Sequence, residues 1–319
     1  MPELPEVQTV VNDLNKKVAG KRIKDVWTDN PKLVRDHLHP SRRISDADIK
    51  EAQKNFRHFK RDLVGEKILR AERKGKNVLV YLSSNKLLLI HQKMTGHLLF
   101  GKWEIKKGRP KGLEPEAIKN DPFNGFIHLI ITFSDKTQLA LSDMRKFAKA
   151  MVASVGQIHA TKDIASLGID ALSPDLTLKK FEELIKTSGP TIKQALLKPE
   201  LISGIGNIYA DESLHRAKIH PQQNPKKLTK DELKRLHGAI KSILRKAVRL
   251  RGTSTSDFRD TEGKEGGYTK WRLVYGRQGE SCQSCQTTIK RIKVGGRGTH
   301  LCPKCQKESR LYKSRKRNS

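Results

Sequence analysis

The 319-residue sequence has few cysteines, few acidic residues and no long apolar run. No segment reaches the ~18 consecutive apolar residues that a membrane-spanning helix needs, and no lipidation signal is visible. The first twenty residues begin with acidic side chains and lack the apolar stretch of a secretory signal. These absences argue against a membrane or secreted protein, so we expect a cytoplasmic one.

The four cysteines lie close together near the C-terminal end, in the pattern C-x2-C-x16-C-x2-C. They are Cys282, Cys285, Cys302 and Cys305. Each short loop presents a pair of thiolates, and the sixteen intervening residues are enough for a β-hairpin, so the sulfurs can close a tetrahedral site. The alternative is two disulfides, which the lack of a secretory signal disfavours. We therefore expect one structural Zn²⁺ with four protein ligands.

Acidic residues are strongly outnumbered by basic ones. The chain has 34 Asp and Glu against 65 Lys and Arg, a formal net charge of +31. An excess of this size repels itself in a compact fold unless an anionic partner or counterions screen it. A polyanion, and nucleic acid before a membrane surface, is the partner that this charge predicts.

The first half of the chain is predicted to be a leading helix followed by a β-sandwich. Apolar residues recur at helical spacing over 2–19, and Gly20 follows them. Short β-branched or aliphatic runs then predict antiparallel strands at 21–28, 77–82, 86–91, 126–133 and 138–142. The polar stretch 102–124, rich in Lys, Gly and Pro, is predicted to be a long exposed loop.

The second half is predicted to be helical, so the fold class is α+β with two domains. Its clearest helix begins at a capping box formed by Thr229 and Glu232 and stops at Gly252. We expect the following boundaries: an N-terminal domain at 1–160, a linker at 161–176, a helical domain at 177–267, a zinc module at 268–307 and a basic tail at 308–319.

The extreme N-terminus has the groups that an imine-forming lyase needs. Removal of Met1 leaves Pro2 as a secondary amine, with Glu3 and Glu6 close by on the first turn of the predicted helix. An α-amino group loses its proton nearer to neutral pH than a lysine does, and is therefore the better nucleophile there. A proline and two acids are also ordinary first-turn residues, so this pattern alone does not decide between catalysis and helix capping.

Several short stretches in between are individually weak signals. Gly204-Ile205-Gly206-Asn207, before a predicted helix, is either an anion nest or a simple turn. Met94 follows one strand, and Arg145 and Phe147 follow another. An apolar side chain beside an arginine is what a protein needs to fill the gap left when a base is extruded from a duplex.

Taken together, these motifs resemble the bacterial formamidopyrimidine-DNA glycosylase family. The resemblance covers nearly the whole chain, in family order: P-E-L-P-E, R-K-G-K-N, H-Q-K-M-T-G, D-M-R-K-F, G-I-G-N-I-Y-A-D-E-S-L, V-Y-G-R and the four-cysteine finger. It implies an N-terminal β-sandwich with a leading helix, a helix-two-turns-helix domain and a zinc-bearing hairpin. It also implies a monomeric bifunctional glycosylase and AP lyase that removes oxidised purines from double-stranded DNA.

The resemblance also implies roles for single residues. Pro2 is the expected nucleophile, Glu3 the acid that protonates the opening sugar, and Glu6 a support for the amine. Lys76 is expected to contact the phosphate at the lesion and to assist the chemistry. The other expected DNA contacts are Met94, Arg145, Phe147, Lys193, Asn207, Tyr268 and Arg297.

The motifs depart from the usual family pattern at a few places. Met144 and Lys146 replace a proline and an arginine, and 102–124 is longer than usual. Two alternatives remain open: a glycosylase for oxidised pyrimidines of the endonuclease VIII type, against which Leu4 and Phe147 argue, and a non-catalytic zinc-finger DNA-binding protein.

Overall fold

The computed structural model of the protein describes residues 2–36, 48–255 and 258–308. The chain divides into two compact units, Met1–Ser166 with Arg251–Gly266, and Leu167–Leu250 with Gly267–Ser319. The sequence placed 251–267 with the helical domain, whereas in the structure 251–266 packs with the first unit. Among the described residues no helix is both long enough and apolar enough to cross a lipid bilayer.

The first unit is an antiparallel β-sandwich with a leading helix, as predicted. Its helices are α1 (Leu4–Lys17), α2 (Ile49–Leu63), α3 (Glu116–Lys119), α4 (Val155–Ala160) and α5 (Lys162–Ala165). Its strands are β1 (Ile23–Thr28), β2 (Ile68–Lys74), β3 (Asn77–Leu82), β4 (Lys86–His91), β5 (Gly96–Lys106), β6 (Arg109–Glu114), β7 (Ile127–Phe133), β8 (Gln138–Asp143) and β9 (Lys149–Ser154). One sheet has the order β1-β7-β8-β5-β6 and the other β2-β3-β4-β9.

Helix α1 is held against the sandwich by its apolar stripe. Val7, Val10 and Leu14 are fully buried in a core shared with strands of both sheets, where each buried aliphatic side chain contributes about 1.5–3 kcal/mol of transfer free energy. The helix ends at Lys17, and Gly20 follows with a φ of +85°, a left-handed conformation that glycine adopts without steric cost.

The prediction of a long loop at 102–124 is wrong. β5 continues to Lys106 and turns back through Lys107 and Gly108, both with positive φ, into β6. β6 lies at the edge of its sheet, and an edge strand tolerates the prolines and charges that make this stretch look like a loop. Within this stretch, Trp103 of β5 and Ile118 of α3 are buried.

The second unit is helical and ends in a β-hairpin. Its helices are α6 (Leu178–Lys186), α7 (Ile192–Leu196), α8 (Asn207–Ala217) and α9 (Lys230–Arg249), and its strands are β10 (Ile169–Asp170), β11 (Ile202–Ser203), β12 (Lys290–Val294) and β13 (Arg297–Leu301). The capping box of Thr229 and Glu232 is present at the start of α9, as predicted.

Candidate active site and nucleic-acid interface

The N-terminal residues form a buried polar cluster at the start of α1. Pro2 is buried, and Glu3 and Glu6 expose only 2% and 1% of their surface. The backbone N–H of Glu3 donates to Glu6 Oε2 at 2.8 Å. The N-terminal end of a helix stabilises negative charge, so these carboxylates occupy a favourable position despite their burial.

The second oxygen of Glu6 is held by a distant part of the chain that sequence reasoning missed. The backbone N–H of Thr253 donates to Glu6 Oε1 at 2.7 Å. The preceding Gly252 has a φ of +84°, and a Cβ there would lie 2.8 Å from the same oxygen. Both oxygens of Glu6 therefore accept a backbone N–H, and the close approach requires glycine.

Lys76 lies in a two-residue hairpin turn between β2 and β3. Gly75, the first turn residue, has a φ of +58°, which is typical of a type II′ turn. Arg73 donates to the carbonyl of Gly75 at 2.8 Å and to the Gln8 side chain at 3.0 Å. Because Gln8 belongs to α1, these contacts tie the turn that carries Lys76 to the helix that carries Glu6.

Met94, Arg145 and Phe147 lie on two neighbouring turns. One turn joins β4 to β5 and the other joins β8 to β9. β5 starts opposite the end of β8 in one sheet, and β4 ends opposite the start of β9 in the other. Both turns therefore pass from sheet to sheet at the same end of the sandwich. All three side chains are exposed there, and the Arg145 guanidinium lies 4.7 Å from the Phe147 ring centroid.

A buried carboxylate that the sequence did not single out holds both turns. Asp143 accepts the backbone N–H groups of Phe147 and Ala148, each at 2.6 Å, and the hydroxyl of Thr95. Thr95 in turn accepts the backbone N–H of Arg145 at 3.1 Å. A carboxylate is a strong hydrogen-bond acceptor. Asp143 therefore fixes the two turns that carry Met94, Arg145 and Phe147.

In the second unit, Asn207 is hydrogen-bonded to the residue that follows Arg297. Asn207, the first residue of α8, donates to the carbonyl of Gly298 at 3.0 Å. Its Oδ1 is buried and has no hydrogen-bond partner among the described residues. Arg297 is exposed at the start of β13, after a turn in which Gly295 and Gly296 both have positive φ.

Lys193 does not fit the predicted role of a DNA contact. Its side chain is fully buried, and its ammonium donates to Asp211 Oδ1 at 2.6 Å, Thr299 Oγ1 at 2.8 Å and the carbonyl of Gly298 at 3.2 Å. An ammonium has three protons, and here each has an acceptor. Lys193 therefore joins α7 to α8 and β13.

Tyr268 is also buried and does not fit the predicted DNA contact. Its ring packs against Tyr209 with centroids 5.7 Å apart, and its hydroxyl donates to Glu212 at 3.3 Å. Burial, together with the charge of Glu212, raises the pKa of Tyr268 above its ordinary value. Glu212 also accepts the backbone N–H groups of 273–275. The sequence signal for this anchor was the pair of adjacent acids, Asp211 and Glu212, in α8.

The four cysteines fit a tetrahedral metal site. Their sulfurs all lie within 4.8 Å of one another, and none forms a disulfide. Sγ of Cys285 is 3.4 Å from those of Cys302 and Cys305, and the Cys282–Cys305 distance is 3.9 Å. Zn–S bonds of about 2.3 Å in a tetrahedron place sulfurs about 3.8 Å apart. The four sulfurs would hold one structural Zn²⁺, and His215 Nε2 lies 3.5 Å from Cys282 Sγ.

Three family models match successive parts of the chain. The formamidopyrimidine-DNA glycosylase N-terminal domain matches residues 1–150, and the formamidopyrimidine-DNA glycosylase H2TH domain matches residues 167–259. A zinc finger found in FPG and IleRS matches residues 279–307. The matched segments follow the order of sandwich, helical region and cysteine hairpin.

Relatives and solved structures agree over nearly the full length. Formamidopyrimidine-DNA glycosylases of Pelotomaculum thermopropionicum and Listeria innocua are 34% and 36% identical, and each alignment covers 96% of this chain and at least 99% of the relative. The structure of Lactococcus lactis Fpg in complex with DNA containing an abasic site has a TM-score of 0.79 at 30% identity, covering 96% of this chain and all of that one. The chain therefore belongs to the formamidopyrimidine-DNA glycosylase family.

Proposed function

We propose that this protein is a bifunctional DNA glycosylase and AP lyase that removes oxidised purines in base excision repair. Its substrate is double-stranded DNA containing oxidised bases or abasic sites, on which it acts as a monomer in the cytoplasm. The observation that carries the proposal is the buried pair Glu3 and Glu6 beside Pro2, in a chain that matches a family member over 96% of its length. The net charge of +31 supports a polyanionic substrate.

The reaction begins with attack of the Pro2 nitrogen on C1′ of the damaged nucleotide. The base leaves with its electron pair, Glu3 protonates the ring oxygen of the opening sugar, and a Schiff base forms between Pro2 and C1′. The imine draws electrons from C2′, which loses a proton as the 3′ phosphate leaves. A second elimination releases the 5′ phosphate. Hydrolysis of the imine then restores the amine.

The two carboxylates have different roles in this scheme. Glu6 accepts the backbone N–H groups of Glu3 and Thr253, which assigns it to holding the terminal residues in place. The Glu3 side chain accepts the backbone N–H of Glu6 in the same capping box, and we assign it as the proton donor because it is the residue next to the Pro2 amine. This division supports a catalytic reading of the N-terminus, because a helix cap alone does not need a backbone donor from a segment nearly 250 residues away.

Groups on each unit suit the handling of DNA. Lys76 and Arg297 are placed on hairpin turns and Asn207 at a helix start, positions from which they can contact phosphate. Met94 and Phe147, with Arg145 against the ring, form an exposed apolar and cationic group that can fill the space of an everted base. The hairpin that carries Arg297 lies between the two cysteine pairs, and a Zn²⁺ held by these four sulfurs would be structural and would supply no chemistry to the reaction.

Borohydride trapping tests the proposal, because reduction of the imine leaves a stable amine bond between enzyme and DNA. We expect an adduct on an 8-oxoguanine duplex, and none when the Pro2 nitrogen is blocked. Glu3→Gln should lose the adduct on 8-oxoguanine but keep it on a duplex with a preformed abasic site, whose C1′ carries no base and exchanges with an open aldehyde that an amine attacks directly. An adduct that maps to a lysine contradicts the proposal, and a preference for oxidised-pyrimidine duplexes in the same assay favours the alternative glycosylase.

A further inference from the structure

Helix α1 carries a polar stripe that the reaction scheme does not use in full. Glu6, Asp13 and Lys17 are spaced by seven and four residues, which places them on one face of the helix. Glu6 and Asp13 are 1% and 4% exposed. Buried charges need partners, and this face lies beside the apolar stripe that packs on the sandwich.

The partners of this polar stripe come from Arg251–Gly266, the segment that returns to the first unit after the helical region. Arg251 makes a two-pronged contact with Asp13, at 3.1 and 2.6 Å, and its Nε donates to Asp260 at 2.8 Å. Thr261 donates to the same Asp13 at 2.8 Å, and Lys17 pairs with Glu262 at 3.1 Å. Arg251, the first residue of this segment, thus joins helix α1 to Asp260 further along the segment.

The backbone of Arg251 is in an unfavourable conformation. Its φ is +62°, a region that costs a non-glycine residue of order 1–2 kcal/mol. Burial works against the charge of its guanidinium, but the hydrogen bonds to Asp13 and Asp260 raise the pKa of Arg251 above its ordinary value. The two carboxylates therefore hold an arginine where the backbone alone favours glycine.

We propose that Arg251, held by Asp13 and Asp260, is a positioning residue for the reaction: it fixes the segment whose next residues, Gly252 and Thr253, contact Glu6. Asp13 lies two helical turns after Glu6, and Thr253 lies two residues after Arg251, so the two pairs of contacts clamp the segment along α1. Loss of the clamp would free the Thr253 N–H and, through Glu6, the backbone of Glu3. This inference rests on the proposed function.

The test removes the clamp without adding backbone strain. Arg251→Gly deletes the guanidinium and suits the positive φ, and Asp13→Asn keeps the shape of the partner and removes its charge. Arg249→Ala is the matched control, because it removes the same charge two residues earlier from an exposed position. Single-turnover excision of 8-oxoguanine, duplex affinity and amide hydrogen exchange at Thr253 are measured for each.

We expect the excision rate of Arg251→Gly and Asp13→Asn to fall at least about tenfold, since small misplacement of catalytic groups costs ten- to hundredfold. Duplex Kd should change by less than about threefold, and Thr253 should exchange faster. Arg251→Lys, which keeps the charge but not the two-pronged contact, should restore part of the rate. Arg249→Ala should match the wild type in rate and exchange.

Two results would overturn the inference separately from the proposed function. Unchanged exchange at Thr253 in Arg251→Gly shows that the clamp does not hold the segment. Faster exchange with an unchanged excision rate shows that the contact is structural only. Failure of the wild-type protein to form a borohydride adduct overturns the proposed function, and with it the role in the reaction, while the exchange data still report whether the clamp exists.

Discussion

Replacement of Gly252 by alanine tests whether the contact between Glu6 and the returning segment supports the active site. Gly252 has a φ of +84°, and its added Cβ would lie 2.8 Å from Oε1 and 2.9 Å from Cγ of Glu6. Gly20 has a φ of +85°, and a Cβ there meets nothing within 4 Å. The two substitutions thus share the same backbone strain and differ only in the contact.

The structure sets the expected size of each effect. Alanine with positive φ costs roughly 1–2 kcal/mol, which is the whole effect expected for Gly20→Ala. In Gly252→Ala the Glu6 carboxylate must also move, and a hydrogen bond to a charged group contributes about 1.5–3 kcal/mol. We therefore expect Gly252→Ala to lower the free energy of unfolding of the first unit by about 2.5–5 kcal/mol.

Urea unfolding followed by tryptophan fluorescence is a suitable assay, because Trp27 and Trp103 belong to the first unit. Single-turnover excision of 8-oxoguanine is measured in parallel under conditions where each variant is folded. Gly20→Ala should excise at the wild-type rate, and Gly252→Ala at least about tenfold more slowly. If the two variants are equally stable and equally active, the assignment of Glu6 to positioning is refuted.

Two further predictions concern the metal site and the pH dependence of stability. Cys282→Ser removes one of four ligands and should lose Zn²⁺, measured by atomic absorption, and weaken DNA binding while the sandwich stays folded; full DNA affinity in metal-free protein would count against the role given to Arg297. Hydrogen bonds from Lys264 and Lys17 lower the pKa of Glu262 to about 2, so its stabilising contribution is present above its ordinary pKa and is lost as the pH falls through that range toward 2. The stability difference between wild type and Glu262→Gln, measured by urea unfolding, should therefore be largest at pH 7 and vanish near pH 2, and a difference independent of pH would contradict this.

Local patterns in the sequence were sufficient for the elements whose stabilising contacts are close in the chain. The spacing of the cysteines predicted a metal-binding hairpin because the four ligands lie in two short loops. The apolar period predicted α1, and the capping box predicted α9. Strands β3 and β4 have the predicted bounds 77–82 and 86–91, since the turn between them is only a few residues long.

The tertiary structure decided what depended on distant partners. The stretch 102–124 looked like a loop because an edge strand can be polar, and only its pairing with β5 shows that it is not one. The resemblance implied that Lys193 and Tyr268 contact DNA, whereas in the structure both side chains are buried and donate to Asp211 and Glu212 of α8. A charge or hydroxyl in the sequence does not reveal whether water or a buried carboxylate will satisfy it.

The sequence by itself brought Pro2, Glu3 and Glu6 together, because they are neighbours in the chain. It did not determine what holds them. The residues that contact Glu6 and Asp13 come from Arg251–Gly266. This segment belongs to the first unit but follows Leu167–Leu250 of the second unit in the chain. Their contacts have no sequence period or spacing to detect, since hydrogen bonds across 238 and 247 residues arise only when the chain has folded.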